Sequence, residues 1–276
     1  MVTDCIGQFY DENGIIKITA ENKVMSLKQP NSVYEVIRVI EGVALFIEEH
    51  FSRLVRSFNL TEDTLQLDIH TLWERIIRVV KANAQINCNV KIIISSNENK
   101  QHSVIYISKS YYPSAAEIKQ GVAVDVMMWE REQPNAKVIN QSYKQAVENT
   151  IKHKDVFEVL LVNAKNEITE GSRSNVFFIK SKTVYTPPAT QVLKGITREY
   201  VLDACKNANM QIVQSPIKLD MLGDIEALFL TGTSIKVLPV RRVGNKAYFS
   251  ATHQHVIKIK EIYDNMISTY IISRKQ

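Results

Sequence analysis

The sequence predicts an α+β fold in two domains, a small N-terminal α/β domain and a larger C-terminal one. Three observations carry that prediction. Short β-branched and aromatic runs, punctuated by Gly, Asn and Asp, recur along the 276 residues and read as strands. Two segments within residues 48–84 instead place apolar residues at helical spacing. At residues 108–121 the texture changes to SKSYYPSAAEIKQG, with Pro113 and small residues, as expected of a connection. The expected boundaries are residues 1–108 for the small domain, 109–121 for the linker and 122–276 for the larger domain.

Each element has a local reason. Residues 7–18 read as a hairpin turning at Asp11, Glu12, Asn13 and Gly14. Residues 32–40 (SVYEVIRVI) alternate Tyr34, Val36 and Arg38 against Val33, Glu35 and Ile37; Glu41-Gly42 makes a turn, and residues 43–47 return as a strand. EEHFSRLVRSFNL sets Phe51, Leu54, Val55 and Phe58 on one helical face. Thr61 reads as an N-cap with Asp63 in the first turn after it, and TLWERIIRVVKANA at 71–84 reads as an amphipathic helix with Leu72, Ile76, Val79 and Val80 inward. Residues 90–95 and 103–107 are strands around a polar SNENKQ loop. Past the linker, strands are expected at 122–129, 157–163, 168–169, 176–179, 183–185, 227–231, 235–240 and 246–250. Helices are expected at 140–154, 198–208 and 253–270.

Composition bounds the function. Hydrophobic residues make up 45% and charged residues 23%, which supports a packed core and argues against disorder. The formal charge of +5 is spread out, with no Lys/Arg run dense enough for a nucleic-acid arm. The three cysteines, Cys5, Cys88 and Cys205, are far apart and in no CxxC spacing, so neither a disulfide framework nor a zinc site is expected. MVTDCIGQFYDENG is acidic and polar where a signal peptide would be basic and then apolar, and no apolar run reaches membrane-span length. The expectation is a soluble cytoplasmic protein with no membrane or nucleic-acid partner and no metal.

Four short motifs carry chemistry. Lys137, in QPNAKVIN, follows a turn and opens an apolar stretch, where desolvation would free its amine for imine chemistry. Glu170, in ITEGSRSNVF, ends a strand amid Ser172, Ser174 and Asn175. In VLKGITR, Gly195, Ile196 and Thr197 precede a helix and offer N–H groups at the positive end of its dipole. In LTGTS, Gly232 and Thr233 offer a second N–H and hydroxyl pair. Alone, each has a stronger bland reading, as a surface lysine, a polar turn, a helix cap or a bulge. Together they supply an amine, an acid and a phosphate cradle, the parts pyridoxal 5′-phosphate requires.

The order EEHFSRL, AKVIN, ITEGSRSNVFFI, TPP…VLKGITR and FLTGTS…LPV resembles the fold-type IV, or class IV, aminotransferases, a family that also holds aminodeoxychorismate lyases. The resemblance runs from about residue 33 to about residue 240. It implies a small α/β domain and a larger pseudo-barrel domain, usually in a homodimer. It implies that Lys137 is the Schiff-base lysine and proton carrier and that Glu170 holds the pyridine nitrogen. Arg53, Ile196, Thr197 and Thr233, with Gly195 and Gly232, would form the phosphate shell, with Ser174 and Asn175 beside Glu170 and Leu193 on the ring face. Tyr34, Val36 and Arg38 would lie on the substrate side. His50, one turn before Arg53, is expected to be structural.

The chain departs from the family pattern at four points. QPNS replaces the Gly-rich stretch before Tyr34, SNENKQH holds no Arg-x-His pair, and Val138-Ile139-Asn140 replaces Gly-Gly after the lysine. Arg173 stands where small or acidic residues are usual, and so is a candidate for the cofactor or a substrate carboxylate. The expected activity is transamination between an amino acid and a 2-keto acid. The alternatives are a lyase releasing pyruvate and, from a different class, a non-enzymatic binding protein.

Overall fold

The computed structural model describes residues 4–19, 32–97, 100–131 and 134–275. Residues 29–31 of QPNS and residues 98–99 of the SNENKQ loop lie outside these. The chain forms two compact units. One comprises Met1–Tyr111, Ala136–Asn140 and Ile267–Gln276, the other Tyr112–Asn135 and Gln141–Met266.

The first unit holds β1 (Cys5–Glu12), β2 (Ile15–Ile18), β3 (Val33–Ile40), β4 (Val43–Ala44), α1 (Ile47–Asn59), α2 (Ile69–Ala82), β5 (Cys88–Asn97) and β6 (Lys100–Ser108). The strands make a six-stranded antiparallel sheet in the order β2-β1-β6-β5-β3-β4. Strand alternation decides its two faces. Val33, Ile37 and Val39 of β3 join Val90, Ile92, Ile94, Ile105 and Ile107 against Leu54 and Phe58 of α1 and Leu72, Ile76 and Val79 of α2. Tyr34, Val36 and Arg38 take the opposite face and are half-buried.

Two expectations in this unit fail. The strand predicted at 43–47 stops at Ala44, because Phe46 turns the chain through a left-handed φ of 54° and Ile47 opens α1, whose first turn carries Glu48 and Glu49 at the positive dipole end. Thr61 caps no helix; its hydroxyl donates to the Phe58 carbonyl at 2.8 Å. Asp68 is the cap, its carboxylate accepting from the Thr71 backbone N–H at 2.9 Å.

The second unit adds α3 (Ala115–Gln120), β7 (Val122–Met128), α4 (Gln141–Lys154), β8 (Glu158–Val162), β9 (Glu167–Gly171), β10 (Asn175–Lys180), β11 (Thr183–Thr186), α5 (Ile196–Asn207), β12 (Gln211–Gln214), β13 (Ile217–Lys218), β14 (Ala227–Gly232), β15 (Lys236–Val243) and β16 (Lys246–Ala247). The last helix, α6 (Gln254–Lys275), begins in this unit. A ten-stranded mixed sheet runs β12-β11-β10-β14-β15-β7-β8-β9-β13, with β16 paired to β15, and fits the pseudo-barrel expected of the larger domain. Its core includes Val124, Leu160, Val176, Phe178, Leu228, Leu230 and Leu238, and on another surface Phe177 and Phe229 stack at 5.1 Å. α3 forms within residues 109–121, opened by a reciprocal Ser114–Glu117 capping box. β12 and β13 are unpredicted edge strands, and α5 starts two residues before the expected Arg198. Among the described residues no helix is long and apolar enough to cross a membrane.

Candidate active site

The sequence-predicted residues fall in both units, and each set is built within its own. In the first unit, Lys137 lies on a short segment that extends the edge of β3. Val138 bridges Val33 in antiparallel register. The Tyr34 N–H donates to the Lys137 carbonyl at 3.0 Å, and the Ile139 N–H donates to the Ser32 carbonyl at 3.1 Å. The Lys137 N–H reaches the Ser57 hydroxyl of α1 at 3.4 Å. The two backbone hydrogen bonds of that bridge and the tie to Ser57 hold a residue that has no regular element of its own. Its ammonium stands 5.3 Å from the centroid of the Tyr34 ring, and Lys91 stands 5.5 Å from the same ring.

Arg53 projects from α1 toward β3. Its Nε and Nη2 donate to the two oxygens of Glu35, each at 2.7 Å, and the His50 Nδ1 contacts Glu35 Oε2 at 2.8 Å. All three side chains are buried. Burial alone would raise the Glu35 carboxyl, but the charges of Arg53 and then Lys137, with its hydrogen bonds, hold it well below the usual carboxylate range. Burial pushes His50 down, so its imidazole is neutral and donates from Nδ1.

In the second unit, Glu170 sits near the end of β9, almost wholly buried. Arg131 Nη1 donates to its Oε1 at 3.1 Å, and the Leu193 N–H donates to its Oε2 at 3.2 Å. Burial raises its carboxyl, the Arg131 charge opposes that, and Glu158 adds to the rise. The Leu193 carbonyl in turn accepts from Asn175 Nδ2 at 2.9 Å. Leu193 is therefore clamped through both its peptide groups, and that clamp ties the ITEGSRSN turn to the VLKGITR turn. Gly195 packs so closely that a Cβ there would lie 2.2 Å from Asn175 Oδ1. Ser174 is packed likewise, since a Cβ at Gly171 would meet its hydroxyl at 2.2 Å.

Gly195 opens α5, and no side chain caps that helix. The N–H groups of its first turn have no partners within the helix, and Ile196 and Thr197 are buried. The Thr197 hydroxyl bonds Tyr263. Thr231, paired in register with Asn175, is buried with its hydroxyl unpartnered among the described residues. Gly232 ends β14 there, and Thr233 begins the turn into β15. An uncapped helix start, an orphaned hydroxyl and a Gly-Thr turn fit an anion of phosphate size.

Arg173 is the remaining predicted residue of this turn. It is exposed, its Nη2 donates to the Phe157 carbonyl at 2.9 Å, and its N–H donates to the buried Glu158. Sequence reasoning missed Glu35, Arg131 and Glu158. The signal for Glu35 was present, a charge at the same strand parity as core residues Val33 and Ile37. Arg131 follows the strand predicted at 122–129 and Glu158 lies within the one predicted at 157–163, and neither carried a further signal.

The family model for class IV amino-transferases matches residues 32–243. The chain is 26% identical over 260 residues to a probable branched-chain-amino-acid aminotransferase of Rickettsia conorii, covering 88% of each chain. It is 24% identical over 241 residues to a D-alanine aminotransferase of Bacillus licheniformis, covering 78% of this chain and 80% of that one. Among solved structures, it is similar to the branched-chain aminotransferase of the thermophilic archaeon Thermoproteus uzoniensis with norvaline, with a TM-score of 0.84, 19% identity and 96% of each chain covered. Another similar structure, also a branched-chain amino acid aminotransferase, holds pyridoxamine 5′-phosphate. The chain belongs to the class IV aminotransferase family.

Proposed function

We propose that this aminotransferase moves an amino group from an amino acid to a 2-keto acid with pyridoxal 5′-phosphate, acting as a cytoplasmic homodimer. The observation that carries the reading is the braced, buried Glu170 carboxylate beside the uncapped start of α5, an acid and an anion site joined through Leu193.

The cofactor, when bound, supplies the electron sink that makes the Cα–H of the amino donor acidic. The chain's residues do the rest. Lys137 would hold the cofactor covalently until the donor's amino group displaces it; its freed amine would then take the proton from Cα and deliver it to C4′, and a 2-keto acid would reverse the steps. Its ties to β3 and Ser57 fix where that amine can reach. Glu170 holds a proton on the ring nitrogen. Donors from Arg131 and Leu193 oppose the rise that burial gives the carboxyl, and in its anionic form Glu170 leaves that proton on the nitrogen. Arg53, Ile196, Thr197 and Thr233, with Gly195 and Gly232, bind the phosphate. Ser174 and Asn175 support the Glu170 turn, and Leu193 covers a ring face. Tyr34, Val36 and Arg38 contact substrate. Arg173 is a further candidate for a substrate carboxylate.

The test is a single half-reaction. Adding an amino acid with no acceptor should release the matching keto acid in an amount equal to the cofactor and then stop. Continued pyruvate release from aminodeoxychorismate without an acceptor would replace transfer by the lyase reading. A panel of D- and L-amino acids, including alanine and the branched-chain set, fixes stereochemistry and side-chain preference.

A further inference from the structure

Glu35 is the one acid buried on the helix-facing side of β3, in a row otherwise made of Val33, Ile37 and Val39. Such a charge must have a reason, because an unpaired buried carboxylate is strongly disfavoured. Its surroundings supply one. Arg53 gives it Nε and Nη2, the two donors along one edge of the guanidinium. A planar guanidinium fixed along one edge has its orientation set, which a single contact could not do. His50, one turn earlier on α1, adds a neutral N–H to Oε2 and limits rotation of the carboxylate. Ser57, one turn later, receives the Lys137 N–H. One stripe of α1 therefore presents His50, Arg53 and Ser57 to β3, and Glu35 closes it.

We propose that Glu35 is a positioning residue for the cofactor's phosphate, acting through Arg53. This rests on the reading of Arg53 as a phosphate ligand. Glu35 itself touches no reacting atom in that scheme. It decides whether the Arg53 fork is already aimed when the phosphate arrives, so its loss should weaken binding only for ligands that carry a phosphate. It also keeps the buried guanidinium paired in the absence of an anion, so the site persists between cofactor exchanges.

The experiment compares the affinity of the cofactor-free protein for pyridoxal 5′-phosphate and for pyridoxal, which lacks the phosphate. Glu35→Gln preserves shape and removes charge. It should weaken pyridoxal 5′-phosphate binding by about tenfold or more, the order seen when an outer-shell partner of a ligand is removed, and change pyridoxal binding by less than about threefold. Arg53→Ala should show the same phosphate-selective loss. In the Arg53→Ala background, Glu35→Gln should add no further loss, since the two act as one unit.

Equal losses for both ligands in Glu35→Gln, or no loss for either, would overturn the proposal. If Arg53→Ala fails to separate the two ligands, the reading of Arg53 itself falls, a distinct result. Should Glu35→Gln not fold by circular dichroism, Glu35→Asp retains the charge but is too short to reach both nitrogens. It must then show the phosphate-selective loss, and an equal effect on the two ligands would again overturn the proposal.

Discussion

Gly195→Ala perturbs the second unit's site without touching a charge. The backbone at Gly195 is extended, with φ −69° and ψ 135°, so alanine fits it without backbone strain. The obstacle is space. The new Cβ would lie 2.2 Å from Asn175 Oδ1 and 3.5 Å from the Cβ of Arg198. Asn175 would have to withdraw by roughly an ångström to restore ordinary contact. It is 5% exposed and its Nδ2 is committed to the Leu193 carbonyl at 2.9 Å, so withdrawal breaks that bond. Overpacking costs about 1–3 kcal/mol, and a buried amide or carbonyl left unpaired costs about 1–3 kcal/mol more. At roughly 2–4 °C per kcal/mol for a chain of this size, calorimetry should show the melting temperature falling by about 4–24 °C. Loosening Leu193 also loosens the N–H that reaches Glu170, so affinity for pyridoxal 5′-phosphate should fall by about tenfold. Asn175→Ser in the Gly195→Ala background makes room and should recover part of the melting temperature. A Gly195→Ala protein melting within about 1 °C of the parent, with unchanged cofactor affinity, would refute the clamp built on Leu193.

Two further outcomes follow from the charges. Glu170→Gln should leave the cofactor attached at Lys137 yet slow the half-reaction by about a hundredfold or more, as measured by rapid mixing, because the proton on the ring nitrogen loses its anion; a rate within about threefold of the parent contradicts that role. Glu35 gives an acid limb to stability. Its folded carboxyl lies below the 4.5 of an ordinary glutamate, so its stabilisation is present above that value and is lost as pH falls below it. The urea midpoint of the parent should therefore drop as pH falls below about 4.5, more steeply than that of Glu35→Gln, and parallel slopes would remove Glu35 from the acid response.

The fold was legible where one face of an element meets a core. β3 alternates cleanly, and α1 and α2 repeat apolar residues at helical spacing, so both were found. Edge elements were not. β12 is QIVQ, too short and too polar at its ends to show a period, and β13 has two residues. Around residues 61–68, Thr61 and Asp68 compete as caps, and only Asp68 has Thr71 three residues on with its N–H in reach. The order of the motifs was legible because it resembles the order in the class IV aminotransferases, the family whose model matches residues 32–243. The groups that aim them were not. Arg131 lies 39 residues from Glu170, and that pairing depends on tertiary folding. The contact of the Arg173 side chain with the Phe157 carbonyl was likewise not visible in the sequence.

The central claim is that Lys137 carries the cofactor. Borohydride reduction of the protein loaded with pyridoxal 5′-phosphate, followed by peptide mass spectrometry, tests it directly. The account predicts a phosphopyridoxyl mass on the peptide bearing Lys137, absent from Lys137→Ala. A stoichiometric adduct on another lysine, or the same labelling in Lys137→Ala, would contradict it.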